Sequence, residues 1–264
     1  MKIKDILDMK NDELIIALTY IIDRSKSFIY LNPDFELNDD ISLKINDIEK
    51  KINDGMPLQY AIGHWQFYGL DLNVDERALI PRFETEILVD YILKSDMKKN
   101  NILDIGTGSG AISLSLAKNL KNSKIIGVDI EEKALSLANE NKEKLNLKNV
   151  SFLKSNLFSN VDGQFDIIVS NPPYISEEDY KKLDKKLFFE PKSALVGGKD
   201  GLDFYKEIIK KSPIYLNKGG HLVFEIGYDQ KDVINDLLIK SDFKNIENIK
   251  DFNGFDRIII AEKG

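Results

Sequence analysis

A planar –NH2 group is best held by acceptors in its plane and a ring against its face. Asn171-Pro172-Pro173-Tyr174 offers those parts in consecutive residues. The Asn171 amide both donates and accepts, the X-Pro bonds leave backbone carbonyls without competing local donors, and Tyr174 adds an aromatic face. Two successive prolines also forbid helix and further strand pairing, so the segment is stiff and extended. Asn-Pro alone is an ordinary turn signal. A second set of residues lies upstream, in Asp104-Ile105-Gly106-Thr107-Gly108-Ser109-Gly110-Ala111. Glycines there let a ligand approach the backbone closely, and a helix N-terminus just after them offers free N–H groups. The run Gly127-Val128-Asp129 ends in a carboxylate that can accept both hydroxyls of a ribose.

Two nucleotides fit this second set. Gly106-x-Gly108-x-x-Ala111 followed by Asp129 satisfies the dinucleotide fingerprint in its final-Ala form. Asp104 argues for the other ligand: dinucleotide folds usually keep that strand end apolar, whereas an acid there suits a ligand carrying an ammonium and a sulfonium, such as S-adenosylmethionine. The chain also lacks a second nucleotide-binding half. A methyl donor beside an –NH2 clamp makes one coherent site, with no metal required.

These residues need strand ends to present them. Phe165 to Ser170 is an apolar run that reads as a buried strand leading into Asn171. Strands are expected at Asn101–Ile105, Lys124–Asp129, Val150–Lys154, His221–Ile226, Phe243–Ile249 and Phe255–Glu262. Helices are expected at Gly110–Leu120, Glu131–Leu145, Gly201–Leu216 and Asp229–Ile239. Such alternation implies a mostly parallel sheet with helices on both faces, whose strand carboxyl ends are where ligands bind. Residues 1–56 read as a small helical domain, 57–80 as an aromatic β-hairpin linker, and 81–264 as the α/β domain. His64 is assigned a surface or packing role and His221 a packing role, Glu190, Asp200 and Asp203 loop-capping and surface roles, and Asp256-Arg257 an ordinary ion pair.

Composition narrows the function classes. The 264 residues are 42% hydrophobic, enough for one large or two modest domains. A net charge of −7 disfavours non-specific binding to nucleic acid. With no cysteine and two histidines, thiolate nucleophiles, disulfides and Cys- or His-rich metal sites are excluded or improbable. No signal-peptide h-region or bilayer-length apolar run is present, so a soluble, cytoplasmic protein is expected.

The chain resembles the HemK-type protein N5-glutamine methyltransferases of peptide chain release factors over nearly its whole length. The likeness is carried by Pro57-Leu58-Gln59-Tyr60-x-x-Gly63, Ile80-Pro81-Arg82-x-Glu84-Thr85-Glu86, Asp104 to Gly110, Asn171 to Tyr174, Glu190-Pro191, Ala194-Leu195 and Gly197-Gly198-x-Asp200-Gly201-Leu202. Asn-Pro-Pro-Tyr alone is shared with amino-directed DNA and RNA methyltransferases; the Arg82 turn, the Gly-Gly-x-Asp-Gly run and the helical N-terminal region make the likeness specific. Phe83 stands where the family usually has proline, and Asn156 where an aspartate is common.

The resemblance implies a class I methyltransferase-type doubly wound sheet, mostly parallel with its last strand antiparallel. It implies S-adenosyl-L-methionine as donor, S-adenosyl-L-homocysteine as product, and class 1 release factors as protein substrate in translation termination. Asn171, Pro172 and Tyr174 would be catalytic, and Pro173 and Arg82 would join them in binding substrate. Asp104, Gly106, Thr107, Gly108, Ser109, Gly110, Asp129, Asn156, Leu157 and Asn171 would hold the donor. A monomer with no membrane or nucleic-acid partner is expected. The rival readings are an amino-directed nucleic-acid methyltransferase, an NAD-dependent oxidoreductase, and a non-catalytic adaptor for translation factors.

Overall fold

The computed structural model describes residues 1–264 and divides them into two compact units. The first comprises Met1–His64 together with Asp184–Phe189; the second comprises Trp65–Leu183 and Glu190–Gly264. No helix is long and apolar enough to cross a membrane.

The first unit is helical: α1 (Ile3–Asp8), α2 (Asp12–Ile22), α3 (Lys26–Leu31), α4 (Asp39–Asn53) and α5 (Leu58–Ile62). Side-chain oxygens of Asn11, Ser25 and Asn38 accept backbone N–H groups at the starts of α2, α3 and α4, satisfying donors that a helix leaves orphaned. Ile3, Ile6, Leu14, Leu18, Ile29 and Ile45 are fully buried at helical spacing. Helix α5 was not expected within the aromatic stretch after Pro57. Pro57 supplies φ −56° just ahead of it, and Leu58, Tyr60 and Ala61 all turn inward. The aromatic, β-prone texture masked one helical turn. His64 packs edge-on against Tyr20, with ring centroids 5.4 Å apart.

The hairpin itself is shorter than the 57–80 stretch: β1 (His64–Phe67, whose first residue belongs to the first unit) and β2 (Leu70–Asn73). Tyr68 and Gly69 between them both take positive φ, the geometry of a tight two-residue hairpin turn. Then follow α6 (Phe83–Lys94), β3 (Asn101–Ile105), α7 (Ala111–Asn119), β4 (Lys124–Asp129), α8 (Glu132–Lys144), β5 (Val150–Lys154), β6 (Phe165–Ser170), α9 (Glu177–Tyr180), α10 (Asp203–Tyr215), β7 (Leu216–Glu225), α11 (Lys231–Lys240), β8 (Phe243–Lys250) and β9 (Asp256–Lys263).

The seven-stranded sheet runs β5-β4-β3-β6-β7-β9-β8. β3 to β7 pair in parallel, and β9 inserts antiparallel between β7 and β8. Successive strand residues serve opposite faces, as the pleat requires. Ile102, Ile167 and Val223 join the core beneath α6 and α7, while Leu103, Ile168 and Leu222 join the one beneath α10 and α11. Strand order reverses between β3 and β6, so the Gly106 loop and the Asn171 segment leave adjacent strands at the switch point where such sheets bind ligands.

Candidate active site

At that switch point lies a cavity of about 320 Å³, lined entirely from the second unit. One wall is Ile105, Gly106 and Gly108; another is Asp129, Ile130 and Glu131. Ser155, Asn156 and Leu157 close one end, and Asn171, Pro172 and Pro173 close the other. Ala78, Leu79, Ala134, Phe204 and Ile208 make the remainder largely apolar. The volume falls in the usual range for a small-molecule site.

The glycine loop is built for close approach. Gly106 has φ +74°, a left-handed conformation that favours glycine, and the space a side chain would take there holds no protein atom within 4 Å, so it stays open to a ligand. Beneath the loop, the fully buried Asp104 accepts hydroxyl hydrogens from Thr107 and Ser113, each at 2.7 Å, on Oδ2. Its Oδ1 is buried without a partner. Burial pushes Asp104 up to about 6, against the two hydroxyls that hold it down. Asp129 accepts the Gly108 N–H on Oδ2 at 2.9 Å and the Glu131 N–H on Oδ1 at 3.0 Å, leaving lone pairs toward the cavity; burial raises it as well.

The far end is set by β6, whose six residues are all buried. Ser170 ties its end to β3 by donating to the Ile105 carbonyl at 2.7 Å. Beyond Pro173 the segment is gripped backbone to backbone. Ile175 N–H donates to the Leu195 carbonyl, and Gly197 N–H to that of Ile175. A Cβ on Gly197 would collide with the Pro173 carbonyl, and one on Gly201 with the Tyr174 carbonyl. The Gly-Gly-x-Asp-Gly run is thus the mould in which Asn-Pro-Pro-Tyr sits. Gln230 completes it by donating to the Tyr174 and Gly201 carbonyls at 3.0 and 3.3 Å.

Of the residues singled out from the sequence, Gly106, Gly108, Asp129, Asn156, Leu157, Asn171, Pro172 and Pro173 line the cavity. Asp104, Thr107, Ser109 and Gly110 do not line it: Thr107 donates to Asp104, the Ser109 carbonyl accepts from Asn141, and Gly110 caps the start of α7 with φ +84°. Tyr174 is half-buried and packs on the core beneath α10, with burial pushing its phenol up to about 12. Arg82 caps no cavity wall; its guanidinium meets Glu190, which also accepts the Ile80 N–H at 3.0 Å. Glu190 is therefore a buried anchor for the Ile-Pro-Arg turn, not the surface acid expected. Asp200 keeps its capping role, accepting the Leu202 N–H and pairing with Lys206. Asp256 and Arg257 do not pair with each other: Asp256 meets Lys231, and Arg257 meets Asp251.

Several contributors escaped the sequence reading. Asn141, fully buried on α8, holds both the Asn73 backbone and the Ser109 carbonyl. Ser155 accepts the Asn160 N–H and donates to the Leu157 carbonyl, curling the chain so that Asn156 and Leu157 face the cavity. Thr85 and Glu225 lie behind Asn171, which donates to Thr85 Oγ1 at 3.2 Å.

The methyltransferase small domain family matches residues 83–200. A release factor glutamine methyltransferase of Fusobacterium nucleatum is 48% identical over 212 residues, 78% of this chain and 60% of that longer relative. The chain thus spans about three fifths of its length. A protein of the same name from Buchnera aphidicola is 42% identical over 250 residues, 94% of this chain and 90% of the relative. Among solved structures, a methyltransferase from Pyrococcus furiosus matches with a TM-score of 0.59 at 26% identity, over 74% of this chain and 90% of that one.

Proposed function

The chain belongs to the release factor glutamine methyltransferase family, and we propose that it methylates the side-chain amide nitrogen of the Gly-Gly-Gln glutamine in class 1 release factors, using S-adenosylmethionine. The carrying observation is the placement of Asn171 and Pro172 on the wall of the cavity that the glycine loop and Asp129 also line. The residues present suit the donor. Asp129 has lone pairs free for ribose hydroxyls, and the orphaned Asp104 Oδ1 puts negative potential behind a loop that would face cationic groups. Bound there, S-adenosylmethionine would supply an electrophilic methyl on sulfonium and leave as S-adenosylhomocysteine.

A glutamine amide nitrogen is a poor nucleophile because its lone pair is delocalised into the carbonyl. Asn171 Oδ1 and the Pro172 carbonyl would accept its two hydrogens, drawing electron density onto nitrogen and aiming it into the cavity. Tyr174 stays a neutral phenol at working pH, consistent with a packing face and not a base. The work of the chain is positioning and water exclusion, and the amide proton departs to solvent after charge has formed. We take the acting species to be a monomer in the cytoplasm, where release factors work.

Purified protein, methyl-labelled S-adenosylmethionine and a release factor, wild-type or with the motif glutamine changed to alanine, test this. Label on the wild-type factor alone is expected. Label on RNA or DNA instead would move the substrate to nucleic acid. Asn171→Ala should lower kcat by about 100-fold or more with donor affinity nearly unchanged; a loss confined to the donor KM would remove Asn171 from this role.

A further inference from the structure

Behind Asn171 runs a buried chain of hydrogen bonds that the mechanism above does not use. Asn171 Nδ2 donates to Thr85 Oγ1 at 3.2 Å, and Thr85 Oγ1 donates to Glu225 Oε2 at 2.6 Å. Thr85 sits in the first turn of α6 and Glu225 ends β7; they are 4% and 1% exposed, and neither lines the cavity. We propose that Thr85 and Glu225 are positioning residues that fix which way round the Asn171 amide faces the cavity. This rests on the reading of Asn171 as an acceptor for the substrate amide.

Counting hydrogens along this chain fixes its direction. An ionised carboxylate only accepts, so Glu225 takes the single hydroxyl hydrogen of Thr85. Thr85 Oγ1 is left with lone pairs alone and can only accept from Asn171. The Asn171 –NH2 must then turn inward to Thr85, and its carbonyl oxygen outward to the cavity. A protonated Glu225 reverses the chain: its own proton can go to Thr85 Oγ1, and the threonine hydrogen to Asn171 Oδ1. The amide would then present –NH2 to the cavity, a donor facing the donors of a primary amide.

Glu225 is placed to make that change. Arg257 on β9 and Arg82 ahead of α6 favour its carboxylate form, as does the Thr85 hydroxyl, while Glu84 on α6 opposes it. The neutral phenols of Tyr174 and of Tyr205 on α10 face it too, Tyr205 donating to the Glu225 backbone carbonyl at 2.8 Å. Burial outweighs the arginines and pushes the acid up to about 7. Above that pH the amide is held the right way round; in acid it is released.

The test compares wild-type protein with Thr85→Ser, Thr85→Val and Glu225→Gln across pH, using labelled S-adenosylmethionine and a release factor. It adds an NMR titration of the Asn171 side-chain –NH2, assigned by its loss in Asn171→Ala. Thr85→Ser should stay within a few-fold of wild type, while Thr85→Val loses about 10- to 100-fold in kcat with the donor KM unchanged. Glu225→Gln should flatten the acid limb of kcat, and the Asn171 signals should move with a midpoint near 7 only in the parent protein. Wild-type kcat in Thr85→Val, or an acid limb and NMR titration that survive Glu225→Gln, would overturn the proposal. Wild-type protein that labels no release factor would count against the substrate reading alone, because the NMR titration needs no substrate.

Discussion

Asp104 and Glu225 set a tension between folding and working that a single residue can express. Burial lifts Asp104 from 3.8 to about 6 and Glu225 from 4.5 to about 7. Each therefore holds its proton more tightly in the folded chain than in the unfolded one. Their contribution to stability is full below the unfolded values and is lost as pH rises through the folded ones. In the cofactor-free protein the urea midpoint should fall between about pH 4 and pH 7, each group contributing at most about 1.4 kcal/mol per pH unit. The double variant Asp104→Asn, Glu225→Gln should flatten that fall; an unchanged slope would show that other groups carry it. The donor works the other way, since a cationic ligand favours ionised Asp104. Its affinity, read by calorimetry, should rise with pH through about 6 in the wild type and lose that rise in Asp104→Asn. The pair Arg82–Glu190 belongs at this scale too. Arg82→Ala strands a carboxylate that is almost wholly buried, and because Arg82 itself is about one-third exposed, the loss should lie toward or below the lower end of the roughly 3–5 kcal/mol typical of such breaks.

At the scale of elements, the site is a junction of loops, each held in shape by a neighbour. Asn-Pro-Pro-Tyr cannot pair as strand or helix, so it takes its form from Leu195–Gly197 and the Gly201 turn pressed against it. Gly201→Ala would drive a Cβ into the Tyr174 carbonyl and force a left-handed backbone on alanine, displacing Asn171. Gly163→Ala imposes the same kind of backbone strain at φ +91° but meets nothing within 4 Å. Both should lose about 1 kcal/mol from strain; only Gly201→Ala should also lose most of its methyl transfer. Equal activity in the two would mean the mould is not needed. Every strand of the sheet and the two ligand-facing loops were legible because apolar runs and glycine or proline punctuation are local signals. Thr85, Asn141, Glu225 and Gln230 were not. Their partners lie 140 residues away for Thr85 with Glu225, 68 for Asn141 with Asn73 and 56 for Gln230 with Tyr174. Glu190 read as a surface acid for the same reason, since its partners Ile80 and Arg82 are 110 and 108 residues distant. A helix turn at Leu58–Ile62 was hidden by the aromatic stretch that follows it; the burial of Leu58, Tyr60 and Ala61, not β propensity, decides its state.

For the whole molecule, the division into units assigns the chemistry and the anchorage differently. The cavity residues all belong to the second unit, yet Asp184–Phe189, between Tyr174 and Glu190 in the chain, belongs to the first. There Lys186 Nζ meets both oxygens of Glu13, at 2.7 and 2.9 Å. A chain beginning at Trp65 keeps every cavity residue but leaves Asp184–Phe189 without the partners it has in the first unit. Donor binding should survive within a few-fold, because nothing that lines the cavity is removed. Trypsin should cut at Lys185 and Lys186 faster than in the full chain, since a segment without anchoring contacts opens more often. Transfer to a release factor should fall, because the freed segment leads into the Glu190 anchor of the Ile-Pro-Arg turn and back to the Asn171 loop. If donor binding is lost together with transfer, the second unit does not fold by itself. If transfer persists with cleavage unchanged, the first unit has no part in holding the site.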